Sequence, residues 1–541
     1  MQARRLAAWT ALPVAVIIGL GACDTANSGS NANGGSNPNG VVSVGIAEPE
    51  HLIPSNTTDI SGGQVLQALF TPLVTYDKDA KPVEAQAASI TTIDSRVWKI
   101  KLKPGYTFHN GEPVTADSYI RAWNYGAYGP NGQNANYYFA HIQGYNALNP
   151  GANNTPATNT LSGLKRLDDL TLQVTLSAPY SDFKAELGYT AFLPLPKSAF
   201  GIDGGLVKRF EDREVGDGPF KMKGIWTHDQ AIEVERYDAY PGQKPKVGGV
   251  LFKIYQDLTT AYADVQTNTL DVLPQGLATQ NLATAAADFG DRYQHSPASS
   301  FEFLAFPTFD SAYANVGVRK AISMAIDRDG IVTTIFANSQ SAARSFVSPV
   351  LQGYRDNTCG DACQYRPSAA KQLYTDSAGP AEIKIAYNAD GGHKEWVQAV
   401  CNQLRRNLGV TCLAQPEAKF ADLLQKVEKK QPVGMFRLGW SMDYPSMEDY
   451  LSPLYSTHGS ANYYGYSNAQ FDRLVQQGSE QQTEAAAIGY YQQAENILAR
   501  DMPVIPLRFK QNNYVFSTRV SNVGVDLFSY LNLIDITTSA T

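Results

Sequence analysis

One stretch constrains this chain more than any other. Ile383, Ile385 and Tyr387 alternate with other residues in the manner of a strand. Val397, Val400, Cys401, Leu404 and Leu408 then recur at helical spacing, and Gly409 follows where a left-handed cap is expected. Val410 to Leu413 opens another apolar strand. A strand, a helix and a strand at this spacing form a βαβ unit with a parallel pair, which commits the chain to an α/β body. Cys401 falls on the inward face of that helix and Cys412 on the strand beneath it, so the unit itself brings the two thiols together.

The remaining periodicities add antiparallel pieces. Val41 to Gly45 reads as a first strand. Trp98, Ile100 and Leu102 alternate with Lys99, Lys101 and Lys103 as a half-buried strand, turned by Pro104-Gly105. Thr115 is placed to cap a helix carrying Asp117 in its first turn. Leu170, Leu172, Val174 and Leu176 follow the Asp168-Asp169 turn as a further strand. Val318, Ala321, Ile322, Ala325 and Ile326 make one helical face; Tyr491, Ala494, Ile497 and Leu498 make the last, before Pro503 and Pro506. At 541 residues, 43% hydrophobic and 18% charged, the chain has core material for several domains and room for two lobes. Its net charge of −7, without a basic stripe, argues against a nucleic-acid partner.

The N-terminus reads as an address. Arg4 and Arg5 precede an apolar run, Leu6 to Leu20, broken by Pro13 and shorter than a membrane span requires. It ends in Leu20-Gly21-Ala22-Cys23, which resembles the bacterial lipobox. The resemblance implies cleavage after residue 22 and a diacylglyceryl group on Cys23, with two acyl chains holding the protein to a membrane. Residues 23–40, rich in Ser, Asn and Gly, are expected to be a flexible tether.

The other four cysteines fall in two close pairs, Cys359 with Cys363 and Cys401 with Cys412. An oxidising exterior favours two disulfides; a four-cysteine zinc site is the rival, for which the ten-residue gap in the second pair is poor. Catalytic motifs are missing: no G-x-S-x-G elbow, no H-E-x-x-H helix, no phosphate loop. The seven histidines are scattered without metal-ligand spacing. Glu448-Asp449 and Asp168-Asp169 look like solvated loop carboxylates. No catalytic residue, metal or cofactor is assigned.

Four stretches, in order, resemble family 5 of the bacterial extracellular solute-binding proteins, which includes the oligopeptide- and dipeptide-binding components of ABC importers. They are W-K-I-K-L-K-P-G-Y-T-F-H-N-G-E-P-V-T-A-D-S (98–118), G-D-G-P-F-K-M-K-G-I-W (216–226) with E-V-E-R-Y-D-A-Y-P-G (233–242), V-R-K-A-I-S-M-A-I-D-R (318–328), and G-W-S-M-D-Y-P (439–445). The resemblance implies a two-lobe periplasmic-binding-protein-like fold (type II, the large cluster with an extra inserted α+β domain). Lobe I would take 41–75, 195–300 and 508–541, the inserted subdomain 76–194, and lobe II 301–507. Strands near Phe301–Phe306 and Val504–Phe509 would cross between the lobes.

The same resemblance implies a site. Asp443, in the G-W-x-x-D segment, would pair with the free α-amino group of a peptide. Gly439, Trp440, Ser441 and Met442 would lie beside the ligand as a strand, reading its backbone. Thr58, Asp59 and Ile60 would meet it from lobe I, with Tyr137 and Tyr138 facing the cleft. No arginine stands out as holder of a ligand carboxylate, which leaves peptide length open. The implied partners are a peptide and ABC permease subunits. The implied location is the outer face of the cytoplasmic membrane of a Gram-positive bacterium, with the protein a monomer held by its lipid alone. The same scaffold binding an oligosaccharide, haem or a metal chelate is the alternative, and a secreted hydrolase the reading from outside the class.

Overall fold

The computed structural model describes residues 36–151 and 154–539. The leader, Cys23 and most of the tether lie outside the described residues. The end of the tether is fixed: the Asn37 N–H donates to the Thr538 carbonyl at 2.9 Å.

The βαβ unit forms as its pattern dictates. Glu382–Asn388 and Thr411–Glu417 run parallel with Ile383 opposite Cys412, and helix Lys394–Leu408 ends at Gly409 with φ 78°. Both disulfides are present, Cys401–Cys412 with Cα atoms 5.1 Å apart and Cys359–Cys363 at 5.6 Å. The four cysteines are paired as two disulfides, and the rival four-cysteine zinc site is not formed.

This unit is one end of a continuous sheet. From its edge the order is Thr411–Glu417, Glu382–Asn388, Met435–Trp440, Tyr293–Ala305, Val504–Phe516, Val272–Leu273, Val41–Ile46, Gly249–Ile254, Ala231–Arg236 and Phe220–Met222. The two central strands have 13 residues each and pair antiparallel, from Tyr293 opposite Val515 to Ala305 opposite Val504. At roughly 3.3 Å per residue each spans about 40 Å, long enough to serve both halves. Their ladder is interrupted between Pro297 and Phe301 and again between Glu302 and Phe303. Such irregularities bend and twist a strand pair where it crosses from one body to the other.

Separate apolar cores lie on either side of the crossing. One is built from Val42 to Val272 together with Tyr514 to Ile536, with a smaller one from Ala261 to Phe289 and Val515 beside it; two more lie within Phe301 to Phe509. Tyr444 is the exception, a residue of the second side buried in the core of the first. The architecture is two-lobed and α/β. A second sheet, antiparallel in the order Ala87–Thr92, Val97–Leu102, Thr171–Thr175, Leu164–Asp168, stands apart from the first. Its Trp98, Ile100 and Leu102 point inward as the alternation requires. Helix Ala116–Ala127 packs beside it, capped by Thr115.

One helix is shorter than its stripe. The face from Val318 to Ile326 is buried throughout, but helix Val316–Met324 stops before Ala325. Asp327 caps a new helix there, its Oδ1 accepting the Gly330 N–H at 2.9 Å. A short polar side chain that offers its own acceptor ends one helix by starting another.

Candidate functional site

Between the lobes lies a cavity of about 380 Å³. That is within the common range for small-ligand sites, roughly 300–1,000 Å³. Three segments converge on it: Thr57 to Ile60 with the helix they begin, Ser441 to Asp443, and the loop Asp526 to Tyr530. Aromatic walls come from Phe70, Tyr76, Tyr189, Tyr240, Phe528 and Tyr530, and the lining contains no Lys, Arg or His.

Thr58, Asp59 and Ile60 are there for a local reason. Asp59 caps helix Ile60–Leu69, its Oδ1 accepting the Gly62 N–H at 2.8 Å and its Oδ2 the Glu50 N–H at 3.1 Å. Both oxygens are therefore occupied, and the side chain acts as a fixture. Its neighbours Thr58 and Ile60 are exposed on the cavity wall.

The second-lobe contribution begins where a strand ends. Met435–Trp440 pairs with the crossing strand, Gly439 opposite Glu302, and Ser441, Met442 and Asp443 continue beyond it as a turn. The expectation of a strand through Met442 is corrected: the Met442 N–H donates to Ser299 Oγ at 3.2 Å instead of to a ladder partner. Gly439 and Trp440 are not on the cavity wall. The Trp440 indole N–H donates to Asp449 Oδ2 at 3.2 Å, and the Asp443 N–H reaches the same oxygen at 3.1 Å. Tyr137 and Tyr138 are not on the wall either; Tyr138 stacks between Tyr137 and the wall residue Tyr189, at centroid distances of 4.5 and 4.3 Å.

Asp443 is half-buried, and among the described residues it has no ion-pair partner. Burial raises its pKa, and the hydroxyl of Tyr138 pulls it partway back. A carboxylate strained in this way is stabilised by any cation that enters the cavity.

Glu448 and Asp449 are not solvated loop residues. They are 6% and 2% exposed and open helix Glu448–Tyr455, where the helix dipole favours carboxylates. The apolar run Tyr450-Leu451 directly after them is the sequence signal that this turn faces inward.

A second cavity, of about 270 Å³, adjoins the first: Ile60 lines both, and Ser529 of the 526–530 loop lines this one. Its chemistry is the reverse. Arg508, Lys510 and His393 line it. Behind them the fully buried Glu302 pairs with Arg437, with Arg508 Nη2 at 3.0 Å and with Lys510 Nζ at 3.4 Å. Three cations around one carboxylate leave net positive charge at this end, while burial pushes His393 down to about 3 and keeps it neutral. Sequence reading missed Arg508 and Lys510; two cations flanking Phe509 directly after the apolar run Val504 to Leu507 were the available clue.

Residues 81–462 match the family described as bacterial extracellular solute-binding proteins, family 5, middle region. The chain belongs to this family. The oligopeptide-binding protein OppA of Bacillus subtilis is 26% identical over 522 residues, covering 93% of this chain and 94% of that one. The dipeptide-binding protein DppE of the same organism is 26% identical over 491 residues, 87% and 86% of the two chains. Among solved structures, the Escherichia coli murein tripeptide binding protein MppA superposes with a TM-score of 0.78 at 20% identity, over 94% of this chain and all of that one. Haemophilus influenzae OppA in complex with RPPGFSPFR gives 0.77 at 20% identity, with the same coverage. These likenesses show the two-lobe fold. Among the described residues no cluster of His, Cys, Asp or Glu could hold a metal, and no helix is long and apolar enough to cross a membrane.

Proposed function

We propose that this protein captures peptides by closing its lobes on them and passes them to an ABC permease, tethered to the outer face of the cytoplasmic membrane through lipid on Cys23. The observation that carries the reading is Asp443: a half-buried carboxylate, without a cation of its own, on the wall of an interlobe cavity. A free peptide is a zwitterion, and the adjoining cavities offer an acid at one end and Lys510 with Arg508 at the other. Closure excludes water from both ends, which strengthens each charged contact. Mixed aromatic walls accept varied side chains without demanding one. The relatives named for oligopeptides and dipeptides support the same ligand class. Lipidation rests on Leu20-Gly21-Ala22-Cys23.

The test compares tri-alanine with its N-acetylated form by isothermal titration calorimetry. The free peptide binds and acetylation weakens binding about 100-fold; equal binding of the two removes the amine anchor. Native mass spectrometry of the purified protein distinguishes a retained peptide from a sugar, haem or chelate.

A further inference from the structure

Beyond the cavity, the lobes meet along a seam that carries acids and no cation. From the first side come Tyr180, Asp182 and Glu186; from the second, Tyr444, Glu448 and Tyr491. Tyr180 Oη lies 2.9 Å from Tyr444 Oη and 3.2 Å from Glu448 Oε2, and Tyr444 Oη is bonded to that same oxygen. Tyr491 Oη donates to Asp182 Oδ2 at 2.9 Å, and the Ser181 N–H donates to the Ser479 carbonyl at 2.8 Å. Asp182, Glu186 and Glu448 are 3%, 2% and 6% exposed, and Asp449 behind them 2%. Glu186 Oε2 has no hydrogen-bond partner at all.

Nothing nearby neutralises these groups. Lys184, on the same turn as Asp182 and Glu186, is held by Glu84 at 2.6 Å. Lys81 faces Glu484, an acid that itself adds to the field on Asp182. His141 stacks on Tyr180 at 4.0 Å, and burial pushes it down to about 4, so it is uncharged near neutrality. The other groups facing the seam, Asp443 and Tyr76, add no positive charge. With metal clusters missing among the described residues, the counter-charge left to the seam is the proton.

We infer that closure of the two lobes takes up protons at Asp182 and Glu448 and their neighbour Glu186, which makes the seam a latch that strengthens as pH falls. The inference rests on the peptide-capture reading for its main readout. Once the seam opens, the acids that meet water titrate near the ordinary carboxylate value of about 4. In the closed seam Asp182 stands at about 7, through burial first and the charge of Glu448, from the opposite lobe, second. Glu186 moves well upward through burial and then Glu448, and Glu448 rises through burial. Groups whose pKa rises on closing favour the closed form at low pH, and that support is lost as pH rises through the closed-state value.

The test measures tri-alanine affinity of the mature protein from pH 6 to pH 7.5, with proton uptake read from calorimetry in buffers of different ionisation enthalpy. One group moving from about 4 to about 7 weakens binding roughly eight-fold over that range. The double variant Asp182→Asn, Glu448→Gln keeps acceptors for the tyrosines without charge. With Glu186 still in place it should bind with a weaker pH dependence than the wild type, take up fewer protons, and exceed the wild-type affinity at pH 7.5. A wild type without proton uptake, or a variant as pH-sensitive as the wild type, overturns the latch while leaving peptide capture intact. Should tri-alanine fail to bind at any pH, the peptide reading fails. The latch is then judged on ligand-free protein by small-angle scattering: a radius of gyration that shrinks on acidification in the wild type alone supports it, and an unchanged one overturns it.

Discussion

Replacing Asp443 by Asn removes one charge and almost no volume. The side chain stands half-buried with no competing cation, and its main-chain N–H stays bonded to Asp449. An ammonium at about 3 Å in surroundings of effective dielectric about 20 gains roughly 5 kcal/mol from the carboxylate before desolvation is subtracted. Charged hydrogen bonds net about 1.5–3 kcal/mol, so the expected loss is near the upper end, about 100-fold in Kd. Stability should move the other way. Asp449 and Glu186 both face Asp443, so deleting its charge relieves repulsion, and the ligand-free Tm should hold or rise. The assay is a two-by-two cycle by calorimetry at pH 7.5: wild type and Asp443→Asn, each with tri-alanine and N-acetyl-tri-alanine. Acetylation should cost the wild type about 100-fold and the variant little. If acetylation costs both proteins the same, the amine is not read by Asp443 and the reasoning fails.

Lys510→Met should lower affinity for a peptide with a free carboxyl end about ten-fold and leave a C-amidated peptide unaffected; equal losses would place the carboxylate elsewhere. Glu302→Gln leaves Arg437, Arg508 and Lys510 facing one another without their buried counter-charge. It should cost about 3–5 kcal/mol in denaturant unfolding, and an unchanged midpoint contradicts that role. Loop-closure entropy predicts that losing Cys401–Cys412, separated by 11 residues, costs about 3 kcal/mol, against about 2 for Cys359–Cys363, separated by 4; chemical denaturation of the paired serine variants ranks them. Cys23→Ser should abolish palmitate labelling and shift the protein from the membrane to the soluble fraction.

Local periodicity carried much of the fold. The βαβ unit, the Cys401–Cys412 bridge and the Trp98–Leu102 alternation are each set by residues a few positions apart, so they were legible. The two crossing strands were legible as apolar segments, but their pairing joins residues some 200 positions apart. What sequence concealed was burial decided by distant partners. Glu448 and Asp449 look like solvent-facing acids until Tyr180 and Trp440 close over them. Arg508 and Lys510 look incidental until Glu302 gathers them at the second cavity. Trp440 was expected beside the ligand and instead braces Asp449, because the strand ends one residue before the turn that carries Asp443.

The most direct measurement is a crystal structure of the protein with tri-alanine. The account predicts the peptide nitrogen within hydrogen-bond distance of the Asp443 carboxylate, with Ser441 and Met442 alongside its backbone. A bound peptide whose amino end lies away from Asp443, or an Asp443 side chain turned out to solvent in the closed form, contradicts it.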